Sequence, residues 1–171
     1  MPSLNRCTAG LTGVAQGDIT ALVGNIDPRV CDADFTNVVG GLTGDVTLYP
    51  GVTCMNSFSA GVLLNGHVYL DARGDPNAFF IIRGKDTLTV ADAAQVVLTN
   101  GARACGVFWR ISGAVTIGKT VTFHGTVIAG TAVTMKTGST LDGRALAQTA
   151  GMQLDANTIR IPTDTDCPHL Q

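Results

Sequence analysis

A repeat of eighteen residues in the second half of the chain constrains the fold more than any other feature. Ala114-Val115-Thr116-Ile117 is matched by Ala132-Val133-Thr134-Met135, and Val121-Thr122-Phe123 by Ser139-Thr140-Leu141 and then Asn157-Thr158-Ile159. Gly125 falls on Gly143, Ala129 on Ala147 and Thr131 on Thr149. Helix-pair repeats need about 33 residues or more, so this period excludes them and suits a coil of three short strands joined by tight turns.

The local chemistry agrees with strands. The repeated segments are β-branched, alternate as Val-Thr-Ile or Val-Thr-Phe, and are punctuated by glycine, as half-buried strands closed by turns are. Alternation directs Val115, Ile117, Val121 and Phe123 inward and Thr116 and Thr122 outward. Equivalent residues then stack about 4.8 Å apart from rung to rung. Leu88-Thr89-Val90 repeats the Val115-Thr116-Ile117 pattern twenty-seven residues upstream, so insertions at the corners are expected in the earlier coils. Val46-Thr47-Leu48 and Val68-Tyr69-Leu70 read as further rungs.

Residues 1–36 fall outside the repeat; within them Asp18-Ile19-Thr20-Ala21-Leu22-Val23 is expected to start a short helix, with Asp18 as N-cap and Gly24 near its end. With 171 residues, 45% hydrophobic and 14% charged, the chain has the length of one domain and is too apolar for disorder. Its apolar runs are too interrupted for a membrane span. The expectation is a single structural domain of the all-β class: a right-handed parallel β-solenoid over residues 40–171, with residues 1–39 as a cap or packing arm. Such a cover matters because exposed terminal strands template association.

Net charge is −2 and the 11 basic residues are scattered, which argues against a nucleic-acid partner. The opening Met1-Pro2-Ser3-Leu4-Asn5-Arg6 has no apolar run behind a basic start, so a signal peptide is not expected in this sequence. Five cysteines lack both a C-x-x-C pair and histidine at ligand spacing, so neither a metal nor a cofactor is expected. Cys7, Cys31, Cys54 and Cys167 are disulfide candidates, taken to lie near the chain ends or in loop-like sequence. Cys105, in an apolar run, is read either as a bonded cysteine or as a buried thiol. One cysteine of five is left over, which leaves an intermolecular bond open.

Three motifs carry a family resemblance: Gly74-Asp75-Pro76-Asn77-Ala78-Phe79-Phe80-Ile81, Gly101-Ala102-Arg103-Ala104-Cys105-Gly106-Val107-Phe108-Trp109 and Leu141-Asp142-Gly143-Arg144-Ala145-Leu146-Ala147. With Gly40-Gly41-Leu42, Leu48-Tyr49-Pro50-Gly51-Val52 and the closing Leu154-Asp155-Ala156-Asn157-Thr158-Ile159, the sequence resembles the microbial ice-binding-like family over about residues 40–160. The resemblance implies a triangular parallel β-helix, secreted, without catalytic residues, whose active members adsorb to ice through a flat face of small and threonine side chains. Family members also carry additional N-terminal strands and a long helix along the coil, and residues 1–39 look too few to supply both.

Two files of threonine are the candidate ice-binding residues: Thr122, Thr140 and Thr158 at strict eighteen-residue spacing, and Thr89, Thr116 and Thr134 less regularly. Thr is also simply a good strand former on any solvent face, and His124 and Asp142 border the strict file two residues on. The partner implied is an ice surface or ordered water. An alternative of a different class is a structural subunit of an extracellular filament, adhesin or surface layer, self-associating through an exposed solenoid end. A third is carbohydrate binding on a groove around residues 66–101, with Tyr49 and Tyr69 as the outward aromatics; Trp109, Phe108, Phe79, Phe80 and Phe123 read as core or face-packing residues. Catalysis is not expected. Asp71 with Asp75, or Asp142 with Asp155, could form acid and base pairs, but Asp75 and Asp155 sit in turn signatures. His67, His124 and His169 lack a nucleophile motif, and Arg144 reads as a structural contact at a solenoid corner.

Overall fold

The computed structural model describes residues 12–35, 41–55 and 61–162; Cys7, Cys167 and His169 lie outside them. The coil closes through strands β1 (Ala33–Asp34), β2 (Leu42–Thr43), β3 (Val46–Leu48), β4 (Gly51–Met55), β5 (Val62–Asn65), β6 (His67–Asp71), β7 (Phe80–Gly84) and β8 (Leu88–Val90). It continues through β9 (Gln95–Thr99), β10 (Val107–Ile111), β11 (Val115–Ile117), β12 (Thr122–Ala129), β13 (Val133–Met135), β14 (Thr140–Ala147), β15 (Met152–Leu154) and β16 (Thr158–Arg160). Successive strands feed three faces of a parallel β-solenoid. The first face stacks β2, β5, β8, β11, β13 and β15. The second stacks β3, β6, β9, the first halves of β12 and β14, and β16; the third stacks β1, β4, β7, β10 and the second halves of β12 and β14.

The repeat maps directly onto register. Val115 pairs with Leu88 and Val133, and Thr122, Thr140 and Thr158 lie opposite one another on consecutive rungs. The twenty-seven-residue offset is therefore one coil with longer corners, and Val46, Val68 and Val96 form one column. Inward positions repeat as Leu64, Val90, Ile117 and Met135, all buried to within 1% of complete. On the third face Trp109 fits the inward column between Ile82 and Val127 because its indole Nε1 donates to the His124 carbonyl at 3.0 Å, and its ring lies 4.8 Å from Phe123 centroid to centroid. Phe79 departs from the core reading: it is 40% exposed, with the Arg29 guanidinium 5.9 Å from its ring. Its neighbour Phe80 takes the inward position, as alternation requires.

The helix is longer than its local sequence suggests. α1 spans Thr12–Ile26, so Asp18 is interior rather than the N-cap. Ile19, Leu22, Val23 and Ile26 share a face at helical spacing and pack on Val52, Cys54, Ile81, Phe108, Ile128 and Leu146 of the third face. Tertiary burial thus overrides weak β-branched propensity. Of the two features that residues 1–39 looked too few to supply together, the helix along the coil is present. Arg110 of β10 clamps the chain just past its end, contacting both Asp27 carboxylate oxygens at 3.2 and 3.3 Å while its Nη1 donates to the Ile111 carbonyl at 2.9 Å.

The Cys31–Cys54 disulfide ties the segment after α1 to β4. Cys54 is therefore a buried strand residue on the outer side of the third face, not a loop residue. Cys105 is disulfide-bonded too, which removes the free-thiol reading; its partner lies outside the described residues. Segment 33–34 pairs with β4, so part of the presumed arm belongs to the sheet.

Corners at Gly125 and Gly143 bend β12 and β14 from the second face to the third. Gly125 has φ +111°, and a Cβ there would lie 2.7–2.8 Å from Val107 atoms. Gly125→Ala is expected to lower stability by about 2 kcal/mol or more, through strain and clash together. Chemical denaturation checks this; a smaller loss would mean that the corner relaxes.

Candidate functional site

The outer surface of the first face is a grid. Its middle column runs Leu63, Thr89, Thr116, Thr134 and Gln153 on successive rungs. The preceding column holds Thr87, Ala114 and Ala132, fixed by hydrogen bonds from Val62, Leu88 and Val115 amides to their carbonyls. On the other side lie Asn65, Ala91, Gly118, Lys136 and Asp155, where amides of the last four donate to Leu64, Val90, Ile117 and Met135 carbonyls. Two consecutive rungs therefore place a threonine between small residues, Thr87, Thr89 and Ala91 and then Ala114, Thr116 and Gly118; the next has Ala132 and Thr134 with Lys136 as its third member. The threonine χ1 stiffness of β-branched side chains keeps such a file in fixed positions.

The second face carries the other file, but in a polar setting. Thr122, Thr140 and Thr158 continue upstream as Gln95 and His67. The adjacent column is His124, Asp142 and Arg160, in which Arg160 Nη2 donates to Asp142 at 2.8 Å and His124 Nδ1 lies 3.6 Å from Asp142, too far for a hydrogen bond. Near its upstream end, His67 Nδ1 is 3.1 Å from Asp45 and its ring stacks beside Tyr69. Tyr49 is covered on one side by the Arg73 guanidinium, 3.9 Å from the ring centroid. The third face is occupied by α1.

The carboxylates weighed as acid and base have turn and ion-pair partners of their own. Asp71 and Asp75 each cap a turn, accepting from the Arg73 and Asn77 amides at 2.8 Å. The Arg73 amide and the Asn100 side chain hold the Asp71 carboxyl below its usual range, the reverse of what a general acid requires. Asp142 sits among second-face side chains, whereas Asp155 follows a first-face strand and accepts from Thr137. Arg144 is exposed on β14 just past Gly143, beside Thr126. No cluster of His, Cys, Asp or Glu suited to a metal occurs among the described residues, and no described helix is long and apolar enough to cross a membrane. A cleft of about 390 Å³ lies at the first rung, lined by Asp32, Phe35, Thr47, Tyr49 and neighbours, outside the groove expected around residues 66–101.

Both threonine files were legible from spacing. The small-residue columns beside the first-face file were not singled out, although the match of Ala114 to Ala132 was their signal.

A helix-clasped parallel solenoid presenting repetitive threonine faces is the class these features define. The chain belongs to the ice-binding-like family, whose model matches residues 5–160, a longer stretch than the motifs alone mark out. It is 38% identical over 147 residues to an ice-binding protein of Nostoc sp. (strain HG1), covering 85% of this chain and 52% of that one. It is 32% identical over 161 residues to an ice-binding protein of Flavobacterium frigoris (strain PS1), covering 94% and 56%. Among solved structures, an ice-binding protein from the Antarctic ascomycete Antarctomyces psychrotrophicus superposes with TM-score 0.83 at 28% identity, over 91% of this chain and 73% of that one. The chain spans about half the length of the curated relatives it matches.

The second-face network gives a pH signature. Burial of the His124 ring pushes its pKa below the usual imidazole value; the Asp142 carboxylate pulls it up and the Arg160 guanidinium down, and burial prevails. The unfolded chain then binds a proton that the folded chain does not, so this contribution is full above the unfolded value of about 6.5 and is lost as pH falls toward the lowered folded value. Thermal unfolding at about pH 8 and about pH 5 should show a drop that His124→Gln reduces. An equal drop in both proteins would assign the acid sensitivity to other groups.

Proposed function

We propose that the chain adsorbs to ice through the first face, with Thr89, Thr116 and Thr134 at its centre. The observation that carries this reading is the in-register threonine file on three consecutive rungs, flanked by alanine, glycine and threonine except at Lys136 and backed by a fully buried core. Hydroxyl and methyl groups repeat at about the strand spacing of 4.8 Å, so they can hold a lattice of water that merges with the crystal. The scaffold is ordered before contact, which reduces the entropic cost of binding. The second-face file is bordered by His124, Asp142 and Arg160, whose hydration competes with such a lattice, and the third face is covered. Relatives named as ice-binding proteins support the same reading.

The remaining parts of the proposal follow from this one. The protein acts without catalysis or cofactor and works outside the cell, and α1 serves the solenoid as a packing arm. The comparisons give the filament-subunit alternative no support. Self-association is a separate proposal, favoured by the last rung, where Met152, Leu154, Ile159 and Ile161 are exposed. Sedimentation should show a mass that rises with concentration; a monomer at every concentration overturns it.

Thr116→Tyr is expected to reduce thermal hysteresis and crystal faceting to the level of a buffer control, with stability changed by about 0.5 kcal/mol or less, as for a surface substitution. Thr140→Tyr on the second face should leave both intact. Loss with Thr140→Tyr alone would move the site to the second face, and round, freely growing crystals with the parent protein would overturn ice binding itself.

A further inference from the structure

We infer that Lys136 and Gln153 fix the downstream limit of the proposed ice surface and hold its strength below what the scaffold can support. This deepens the reading of the first face and rests on it. The backbone grid continues past Thr134 without a break: Val133, Thr134 and Met135 pair with Met152, Gln153 and Leu154, and the Lys136 amide donates to Ile117 as the Gly118 amide does to Val90. What changes is the side chains. Gln153 stands where the preceding three rungs have threonine, and Lys136, beside Thr134, stands where the two rungs before it have Ala91 and Gly118. Both are exposed.

Two physical differences separate these residues from the ones they replace in the grid. Thr is held near one χ1 rotamer and keeps its hydroxyl in place, whereas Gln and Lys have long side chains whose ordering costs far more entropy. The lysine ammonium is also a compact, strongly hydrated charge, and it orients its own water shell at the rim of the patch. Asp155, two residues past Gln153 in the outer column, is different: its carboxylate accepts from Thr137 and its amide donates to the Asn157 side-chain oxygen, so it belongs to the turn after β15. It is left unchanged in the test. The threonine file is thus three rungs long, about 10 Å between its outer threonines, and the grid is about 13 Å across, with Lys136 already interrupting its third rung.

The test compares thermal hysteresis at equal molar concentration for the parent, Gln153→Thr, Lys136→Ala and the double variant, with circular dichroism and thermal unfolding to confirm an unchanged fold. Going from three ordered rungs to four should raise hysteresis in the double variant by roughly a third or more, with each single variant intermediate. Lys119→Ala, at an exposed corner beyond the grid, removes the same charge off the face and should leave hysteresis at the parent value. A folded double variant with unchanged or reduced hysteresis overturns the limit. So does an equal gain from Lys119→Ala, which would trace the effect to net charge. Thr116→Tyr keeps the two claims apart. If it abolishes activity while the double variant gains nothing, the face is right and the limit wrong; if it leaves activity intact, the face itself is wrong.

Discussion

Parallel in-register stacking of inward side chains is the condition on which everything else in this molecule rests. Each inward apolar residue must sit above another that is apolar, because the interior of the coil leaves little space for a misfit. Val115, Val133 and Leu88 do so on the first face, and Phe123 above Leu141 on the second. Once the inner columns are fixed, the outer columns follow without further choice, since every second residue of a strand must point outward. The threonine files are therefore a consequence of core packing as much as of selection at the surface. Their spacing inherits the precision of the backbone ladder.

The helix decides what those outer columns can do. By burying Ile19, Leu22, Val23 and Ile26 on the third face, it removes one of three surfaces from contact with water. The Arg110–Asp27 contacts and the Cys31–Cys54 disulfide keep it there. An Arg side chain only 9% exposed would be costly without a partner, so the clamp also specifies where the chain leaves the helix. With one face covered and a second bearing a partly buried His-Asp-Arg column, a flat and weakly charged surface remains only on the first.

How far the sequence reveals this depends on whether the information is periodic. The eighteen-residue match of Thr116 to Thr134 and Thr122 to Thr140 yields the strands, their parallel pairing and both files, because periodic positions share one environment. Non-periodic features were harder to read. The length of α1 is set by burial against strands far along the chain, so the local cue at Asp18 marked a start that does not exist, while Gly24 lies near the true end at Ile26. Phe79 and Phe80 look alike in sequence, and only the strand boundary separates an exposed ring from a core one. Cys105 sits in an apolar run that suited a buried thiol, yet it is bonded, since disulfide pairing depends on three-dimensional proximity.

The same division between periodic and non-periodic positions bears on function. Strict sequence spacing drew attention to Thr122, Thr140 and Thr158, yet spacing says nothing about neighbours two residues away. His124, Asp142 and Arg160 stack beside that file because the register that aligns threonines aligns the next outward column equally well. On the first face the corresponding neighbours are Thr87, Ala114, Ala132, Ala91 and Gly118, with Lys136 the one charge, so the less regular file has the flatter surroundings. A surface meant to order water is defined by the residues that do not compete for it as much as by those that hold it. The small side chains around Thr116 are therefore the stronger part of the case for that face.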